Sequence, residues 1–528
     1  MDNSTHKTLY ATHGWVGIIS GILLFVVVFS GIPALFENEM EYWQSPSLTQ
    51  LPKSQNFELE SVMQTAVKNN FIFDEIFISP ADDIRSHHIL WSYNEATEDY
   101  ETLYLAAHNN EVVTPGNSEL AHILTELHTD LHLPNPIGRY LIGIAGLAML
   151  LAIIAGIFIH TKWRKEFVML REKRSWRLLL TDQHKLIGLW SLPFTFILAF
   201  TGTILGLLGL ISPILAFAAF NGDVEKATQA ILGPRAEITG EALPSYSLNA
   251  LQAQYQKENP EMLVDLISIS GLQKNAEPQN NQASQNSESP TLLTDSGGII
   301  KFSGMHGSKL NSLQATTYQL STGEQIHEAN FFGNGPFQRI FAAVVPLHYV
   351  FYGGGWLKLF YAISALAVCG LIVSGNMLWL TRRGYNERHW LGRSTLGVCA
   401  GLVFATFSVL ASSMWLQKSG AEQHHLEESI FWGSWLLCLF TALVFPKSFA
   451  ISHWILRGSA AMGVLTIIGD GVMNQRWPWN SEGWVLFIHV GLVMFSALLL
   501  VVDYLLPHKI SQKKATEKPL AEEMAKAA

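Results

Sequence analysis

The sequence has few charged residues and few cysteines for its length. Charged side chains make up 15% of the 528 residues, hydrophobic ones make up 49%, and mean hydropathy is positive at +0.21. A soluble globular protein carries about 25% charged residues, so the composition excludes that class and predicts a polytopic membrane protein. The three cysteines, Cys369, Cys399 and Cys438, all lie in apolar runs, which excludes a disulfide framework.

Several common catalytic signatures are also absent. The chain has no Walker loop, no dinucleotide glycine fingerprint in a βαβ setting, no H-E-x-x-H motif and no nucleophile elbow. Electrons from a nicotinamide would therefore need another protein. The net charge of −9 argues against nucleic acid as a partner.

Eight apolar runs are long enough to cross a bilayer. The loop 161–185 between the second and third runs holds eight Lys/Arg against three Asp/Glu, which is typical of a cytoplasmic loop. Both termini are therefore predicted to be cytoplasmic, and helix 1 is expected to remain because no cleavage pattern follows it. The predicted helices span about 14–36, 137–159, 186–216, 356–380, 394–416, 429–446, 452–470 and 484–506.

Two long segments are predicted to lie outside the membrane. The first holds seventeen Asp/Glu against three Lys/Arg and has a helical pattern followed by β-rich stretches, which indicates a small α+β domain. The second repeats this plan around a polar, low-complexity insertion at 274–290 that we predict to be disordered. The predicted organisation is helix 1 (1–36), domain 1 (37–136), helices 2 and 3 with the basic loop (137–216), domain 2 (217–340), an interfacial helix with helix 4 (341–385), and a four-helix extension with a cytoplasmic tail (386–528).

The chain repeats a pattern of histidines and glycines. His13 opens helix 1 and His184 opens helix 3, and each is followed by glycines four and eighteen residues later. A short amphipathic helix before helix 2 carries His128, and the equivalent helix before helix 4 carries His348. Sorted by depth, His13 and His184 lie at the inner face, whereas His128 and His348 lie at the outer face.

This arrangement predicts two b-type haems. Histidines inside a membrane bundle are costly unless they are liganded or hydrogen-bonded, and two neutral imidazoles from facing helices commonly hold a haem iron. No C-x-x-C-H motif for covalent attachment is present. In a four-helix bundle, helices 1 and 3 would lie diagonally, which leaves a slot for a flat cofactor. The alternative is that these histidines only cap helices, but their repeated spacing argues against it. The glycines expected beside the cofactor are Gly17, Gly31, Gly188 and Gly202.

Other histidines are less regular. His160 ends helix 2 where the repeat places Trp379 in helix 4, so the choice between His13 and His160 as partner of His184 stays open. His132, one turn after His128, is an alternate outer ligand. We interpret four histidines of the outer segments as surface residues, and we favour structural roles for five in the extension; these are His87, His88, His306 and His327, and His389, His424, His425, His453 and His489.

The motifs resemble those of the PepSY-associated transmembrane family over about 1–385. They are HGWVG at helix 1, the ELH helix ending at His128, GIFIHTKWRKEFVMLR, SWRLLLTDQHKLIGLWSLPF, and PLHYVFYGG before helix 4. The resemblance implies two periplasmic PepSY domains on a four-helix dihaem core, and some relatives reduce ferric siderophores. This sequence departs from the family pattern at His160, where many members have tryptophan, and in its four extra helices.

We therefore expect a bacterial inner-membrane protein with two haems b that passes electrons to a ferric siderophore or another ferric chelate in the periplasm, for iron uptake. The electron donor is open between a cytoplasmic partner and a quinol of the lipid bilayer. Two alternatives remain: a non-enzymatic PepSY protein that binds a peptide or protease or assists assembly, and a component of an iron-chelate transporter.

Overall fold

The structure, a computed structural model, describes residues 3–527 except 55–56, 72, 172–175, 224–228, 230–232, 273–292, 307–313, 331–335, 351, 386–388 and 446–447. It forms two compact units. The first contains Met1–Gln44, Asn117–Leu207 and Gly355–Ala528, and the second contains Ser45–Gly116 and Leu208–Gly354. The predicted disordered insertion 274–290 lies outside the described residues.

Helices account for most of the described chain. In chain order they are α1 (Asn3–Ala34), α2 (Glu37–Gln44), α3 (Pro46–Thr49), α4 (Leu59–Lys68), α5 (Leu120–Thr129), α6 (Ile137–Ile159), α7 (Trp163–Glu166), α8 (Trp176–Trp190), α9 (Leu192–Gly206), α10 (Leu208–Phe220), α11 (Leu248–Glu258), α12 (Pro336–Tyr349), α13 (Gly354–Arg382), α14 (Trp390–Thr395), α15 (Gly401–Leu416), α16 (Gln423–Val444), α17 (Ser448–Asn474) and α18 (Gly483–Ala527). A π-helical turn joins α14 to α15, and a 3-10 turn joins α15 to α16.

The strands all belong to the second unit. They are β1 (Glu75–Ser79), β2 (His87–Asn94), β3 (Asp99–Ala106), β4 (Val112–Val113), β5 (Ala242–Pro244), β6 (Met262–Leu272), β7 (Leu293–His306), β8 (Gln314–Gln319) and β9 (Gln325–Asn330).

The described residues include seven helices that are long and apolar enough to cross a membrane, and α8 with α9 would make an eighth as one bent span. Apolar runs of this length satisfy their backbone hydrogen bonds internally, which a lipid environment requires. The predicted class, a polytopic α-helical membrane protein with about eight spans and an outer α+β region, is therefore confirmed. The haems remain a prediction.

The third span is not the single helix predicted at 186–216. It consists of α8 and α9, which are bent by 68° at Ser191. Pro193 has no N–H to donate to Leu189, and its ring crowds the preceding turn, so a straight helix cannot continue through this point. The span also begins earlier, at Trp176, and the apolar run after Gly206 forms α10, which belongs to the second unit.

In the first unit, α1, α6, α8–α9 and α13 form a four-helix ring. Helix α6 packs against both α1 and α9, and the crossing with α9 is close because a Cβ on Gly206 would lie 2.7 Å from the Cα of Gly143. Small residues allow helix backbones to approach in this way within a membrane. Trp15 on α1 contacts Trp379 on α13, with ring centroids 6.0 Å apart. Helix α1 thus lies diagonally across from α8–α9, as predicted.

The extension shares the hydrophobic core of the ring. The span Trp390–Gly420, which contains α14 and α15, is the most enclosed of the candidate spans. Helix α15 forms its central part. Its Leu402 and Val409 belong to one cluster that also contains Phe25 of α1 and Leu124 of α5. All three cysteines are free and buried, as their apolar surroundings predicted. The four extra helices are therefore part of the same packed unit as the ring.

The second unit contains one nine-stranded antiparallel sheet in the order β4-β3-β2-β1-β6-β7-β8-β9, with β5 beside β7. The two outer segments meet at its centre, where β1 pairs with β6 and Phe77 lies opposite Ser268. Helices α4 and α11 pack with the sheet in a shared core that includes Leu59, Leu251 and Phe302. Each predicted α+β segment thus contributes a run of strands to a single sheet and one helix that packs with that sheet.

The topology gives a first testable prediction. We expect reporter fusions inserted at 95–98 and 321–324 to show an exported location, because both turns belong to the outer sheet unit. Fusions in the basic loop at 161–171 and after 508 should show a cytoplasmic location, because Lys/Arg-rich loops are retained inside. Paired alkaline phosphatase and fluorescent protein fusions measure both. An exported C-terminus would show that the extension crosses the membrane an odd number of times.

Candidate histidine site in the four-helix ring

The structure brings His13 and His184 together from diagonal helices. Their ring centroids are 6.1 Å apart and the ring planes are inclined at 79°. His13 Nδ1 lies 2.8 Å from the carbonyl oxygen of Ala152, and His184 Nδ1 lies 3.1 Å from that of Leu371. A carbonyl only accepts, so each Nδ1 carries the proton, and in a neutral ring the lone pair is then on Nε2.

Each of these imidazoles lies on a glycine. A Cβ on Gly156 would lie 3.4 Å from Cε1 of His13, and a Cβ on Gly375 would lie 3.0 Å from Cε1 of His184. Both glycines are four residues after the carbonyl that accepts the Nδ1 hydrogen bond. The ring therefore occupies the space that a side chain one helical turn further along would fill.

His128 shows the same geometry at the other end of the four-helix ring. Its Nδ1 lies 2.8 Å from the carbonyl oxygen of Val27, and a Cβ on Gly31, four residues later, would lie 2.9 Å from its Cε1. Burial lowers the pKa of His128, which favours the neutral imidazole that a metal requires. Three of the four predicted ligands thus share one local arrangement.

His348, the fourth predicted ligand, belongs to the second unit. It lies near the end of α12, where it is half-buried and its ring is 5.7 Å from that of Tyr349. Its pairing with His128 remains a prediction.

His160 lies in a different environment from His13. It caps the end of α6, and its Nε2 is 3.6 Å from a carboxylate oxygen of Glu166, which also binds Lys185. Burial and the nearby Lys185 ammonium lower the pKa of His160. The contact with the His184 ring is made by His13. The geometry therefore favours His13 over His160 as the partner of His184.

The inner pair fits a shared metal ion. An imidazole nitrogen binds a metal at about 2 Å, which places the ring centre about 3 Å from the ion, so two rings that bind one ion from opposite sides have centroids about 6 Å apart. The 6.1 Å between His13 and His184 agrees with this value. Metal-binding histidines usually donate their other ring N–H to a backbone carbonyl or a carboxylate, which fixes the ring orientation, and both of these imidazoles make such a bond. A Cβ on Gly17, one turn from His13, would meet nothing within 4 Å, so there is open space beside the pair.

Two predictions about other histidines change. His132 uses both nitrogens, one with the Glu126 carboxylate at 3.0 Å and one with the Ile123 carbonyl at 2.8 Å, so it is not an alternate ligand in this arrangement. The interpretation of His87 and His88 as surface residues is wrong: both are buried in β2, and burial lowers the pKa of each to about 4. An alternating strand pattern does not separate a buried histidine from an exposed one.

The extension holds the helix that carries His128. The buried Glu427 carboxylate on α16 accepts a hydrogen bond from the backbone N–H of Glu119 at 3.0 Å and another from the Ser118 hydroxyl at 3.0 Å. A carboxylate at a helix N-terminus binds its unpaired N–H groups and complements its dipole. Glu427 therefore positions α5. Sequence reasoning missed this residue because its contact is 308 residues away in the chain.

Sequence reasoning also missed Gly156 and Gly375, which form the surfaces under the inner histidines. Their signal was present, since the repeat places both at the same position, four residues before His160 and Trp379. The sequence analysis instead emphasised Gly17 and Gly188, which lie in the same helices as the histidines. Of these, Gly17 adjoins open space and Gly188 adjoins Leu371.

Two comparisons show which known proteins the chain resembles. The family model described as the PepSY-associated TM region matches residues 10–382. The chain belongs to this family. It is also 27% identical, over 374 residues, to an uncharacterized protein of Pseudomonas aeruginosa, PA4219, and the match covers 68% of this chain and 88% of that protein. The family match includes all five predicted site histidines and ends before the extension.

The glycine contacts give a second prediction. Gly375→Ala should displace the His184 ring, because the new Cβ would lie 3.0 Å from Cε1, closer than the ~3.5 Å of an unstrained carbon contact. We expect the haem content of the purified protein to fall by about half if one of two haems depends on this ring. Gly370→Ala, on the same helix where a Cβ meets nothing within 4 Å, is the matched control. Equal haem contents in the two variants would contradict this role of Gly375.

Proposed function

We propose that the protein holds two b-type haems and passes electrons across the inner membrane to a ferric chelate in the periplasm. His13 and His184 would ligate the inner haem, and His128 and His348 the outer one. The haems would supply reversible one-electron transfer, which none of the protein's own side chains provides. The observation that carries the proposal is the pair His13 and His184, with ring centroids 6.1 Å apart and both Nδ1 atoms bonded to carbonyls.

The protein's own groups would fix the ligands before a haem binds. The carbonyls of Ala152 and Leu371 orient the inner imidazoles and set the tautomer that leaves Nε2 for iron. The Val27 carbonyl does the same for His128. Around a bound haem, the local dielectric would be one of the factors that set its potential.

The substrate class is a ferric siderophore or a similar ferric chelate. This part of the proposal rests on the family resemblance and on the outer sheet unit. The β2–β3 hairpin presents the exposed carboxylates of Glu95, Glu98, Asp99 and Glu101. Such a negative surface favours the approach of a cationic or neutral chelate over an anionic one. One electron per iron would give Fe(II), and the chelate would then release its metal.

The ligand assignment gives a third prediction. His13→Ala and His184→Ala should each remove the inner haem, because iron loses an axial imidazole, and His128→Ala or His348→Ala should remove the outer one. Optical spectra with dithionite and a haem-to-protein ratio measure the losses. His160→Ala is the matched control on the inner side. If His160→Ala removes the inner haem and His13→Ala does not, the inner pair is His160 with His184.

The activity gives a fourth prediction. Protein reduced with dithionite and freed of excess reductant should reoxidise faster when a ferric siderophore is added, and a ferrous-iron indicator should detect Fe(II) in a one-to-one ratio with the electrons lost. The His128→Ala variant should lose this reaction, because electrons would no longer reach the outer side. Reoxidation no faster than in buffer, for every chelate of a hydroxamate, catecholate and carboxylate set, would contradict the proposal.

A specific outcome would favour the non-enzymatic alternative. The strands β4 and β9 end the sheet, and an extended peptide can add to such an edge. Purified protein without haem after haem-replete expression, together with tight binding of a peptide by the sheet unit, would replace electron transfer by peptide binding.

A further inference from the structure

Helices α17 and α18 carry buried ionisable residues at their interface. Asp470 on α17 and His489 on α18 are both fully buried, and His489 Nε2 donates to Asp470 Oδ2 at 2.8 Å. Towards the opposite ends of these helices, Asp503 on α18 is 4% exposed and accepts a hydrogen bond from His453 on α17. Ionisable groups inside membrane helices are costly and commonly mark ion pathways and proton relays.

The two histidine–aspartate pairs are separated by most of the thickness of a membrane. At about 1.5 Å per residue, the rise from His453 to Asp470 along α17 is about 26 Å, and that from His489 to Asp503 along α18 is about 21 Å. The hydrocarbon core of a bilayer is about 30 Å thick. One pair therefore lies towards each face of the membrane. The His453 pair is accessible from outside the protein, because the His453 side chain is 24% exposed and that of the neighbouring Arg457 is 63% exposed.

Buried hydroxyls lie between the pairs. Ser496 on α18 is seven residues from both His489 and Asp503, and it lies against Gly463 on α17 so closely that a Cβ there would clash. Thr466 is buried one turn from Asp470, and Ser459 is buried one turn from Gly463; both are 0% exposed. Along α17, the levels of Ser459, Ser496, Thr466 and Asp470 follow one another at about 4.5–6 Å, which a single water molecule can bridge. The step from His453 to Ser459 is about 9 Å and needs two waters.

Two atoms in this line have no hydrogen-bond partner among the described residues. They are Ser496 Oγ and His489 Nδ1, and both are buried. An unsatisfied buried polar atom is costly unless water reaches it. An imidazole with one nitrogen on a carboxylate and the other available can accept a proton at one nitrogen and release one from the other. Both features suit a chain of waters along the interface.

Each aspartate of the two pairs also contacts an arginine. Asp470 also accepts hydrogen bonds from Arg476, Asn474 and the Trp43 indole. Asp503 also accepts one from Arg457. The arginine guanidinium groups remain positively charged beside the carboxylates when a histidine releases its proton. The proton can therefore move without leaving an uncompensated buried anion.

We propose that the interface of α17 and α18 conducts protons across the membrane between the His453–Asp503 pair and the His489–Asp470 pair. A proton enters on one imidazole, passes along waters held by Ser459, Ser496 and Thr466, and leaves from the other imidazole, with no electron transferred. The extension would thus have an activity of its own, separate from the proposed electron transfer. The path needs no haem, so it can be measured whether or not a haem is bound.

The test uses the full chain reconstituted in liposomes that contain a pH-sensitive dye and a high potassium concentration. Valinomycin then makes the interior negative, and acidification of the lumen measures proton entry. We expect the wild-type protein to acidify the lumen faster than protein-free liposomes. Ser496→Ala should slow the proton flux at least about tenfold, which corresponds to about 1.4 kcal/mol of added barrier. Ser434→Ala, a hydroxyl on α16 that donates to its own helix at Phe431, is the matched control and should leave the flux unchanged.

Asp503→Asn provides a second test, since it removes the acceptor at the open end and leaves the fully buried Asp470 network intact. It should also lose most of the flux. A wild-type flux equal to that of empty liposomes would overturn the proposal. So would equal fluxes in the wild type, Ser496→Ala and Asp503→Asn, because the protons would then cross elsewhere. Loss of flux in the two interface variants, with haem content unchanged, would support a path that is separate from the haem site.

Discussion

The hydrogen bond from a histidine to a carbonyl inside another helix determines much of this structure. The carbonyl of Leu371 lies within a continuous helix, where it already serves the N–H of Gly375. A carbonyl oxygen has a second lone pair, which the imidazole of His184 uses. The ring can reach it only because Gly375 has no side chain. Helix spacing, ring direction and the choice of glycine therefore follow from one contact, which occurs three times in the first unit.

The extension stabilises the end of the ring that carries His128. Trp43, in the segment after α1, donates a hydrogen bond to Asp470 of α17. Glu427 of α16 binds the start of α5, which precedes α6. The buried ion pair between Lys358 and Glu39 ties the start of α13 to α2 in the same region. Breaking such a pair leaves one charge buried without its partner, which costs several kcal/mol. These polar contacts fix geometry that apolar packing alone leaves adjustable.

Much of the fold could be predicted from periodicity and composition, because hydrophobic length and basic loops are local properties of the chain. The seven unbroken spans and the strands of the first outer segment lie close to their predicted places. The bend at Ser191 was missed although Pro193 was visible at the eighth position of the helix predicted at 186–216, because membrane helices tolerate an interior proline when neighbouring groups satisfy the freed backbone. The pairing of β1 with β6 depends on residues nearly two hundred positions apart, and no local pattern encodes it.

The candidate site was predictable to a similar degree. Repeat spacing identified His13 and His184, and the structure adds the carbonyl and glycine contacts that hold them. The choice between His13 and His160 required three-dimensional information, since both lie near the same depth in the sequence pattern. Burial of His87 and His88 was also out of reach, because the two faces of β2 are covered by different parts of the second unit.

The central pairing of β1 with β6 sets an order of events during synthesis. The first four strands emerge with the edge of Glu75–Ser79 unpaired, and that edge stays open until the chain has been made as far as Ser270. Helices α6, α8 and α9 lie between the two strands in the chain, so membrane insertion of the second and third spans precedes closure of the sheet. An open strand edge is prone to aggregate. Stalled or truncated chains that end in the basic loop would therefore present a half-sheet that requires a chaperone or is degraded.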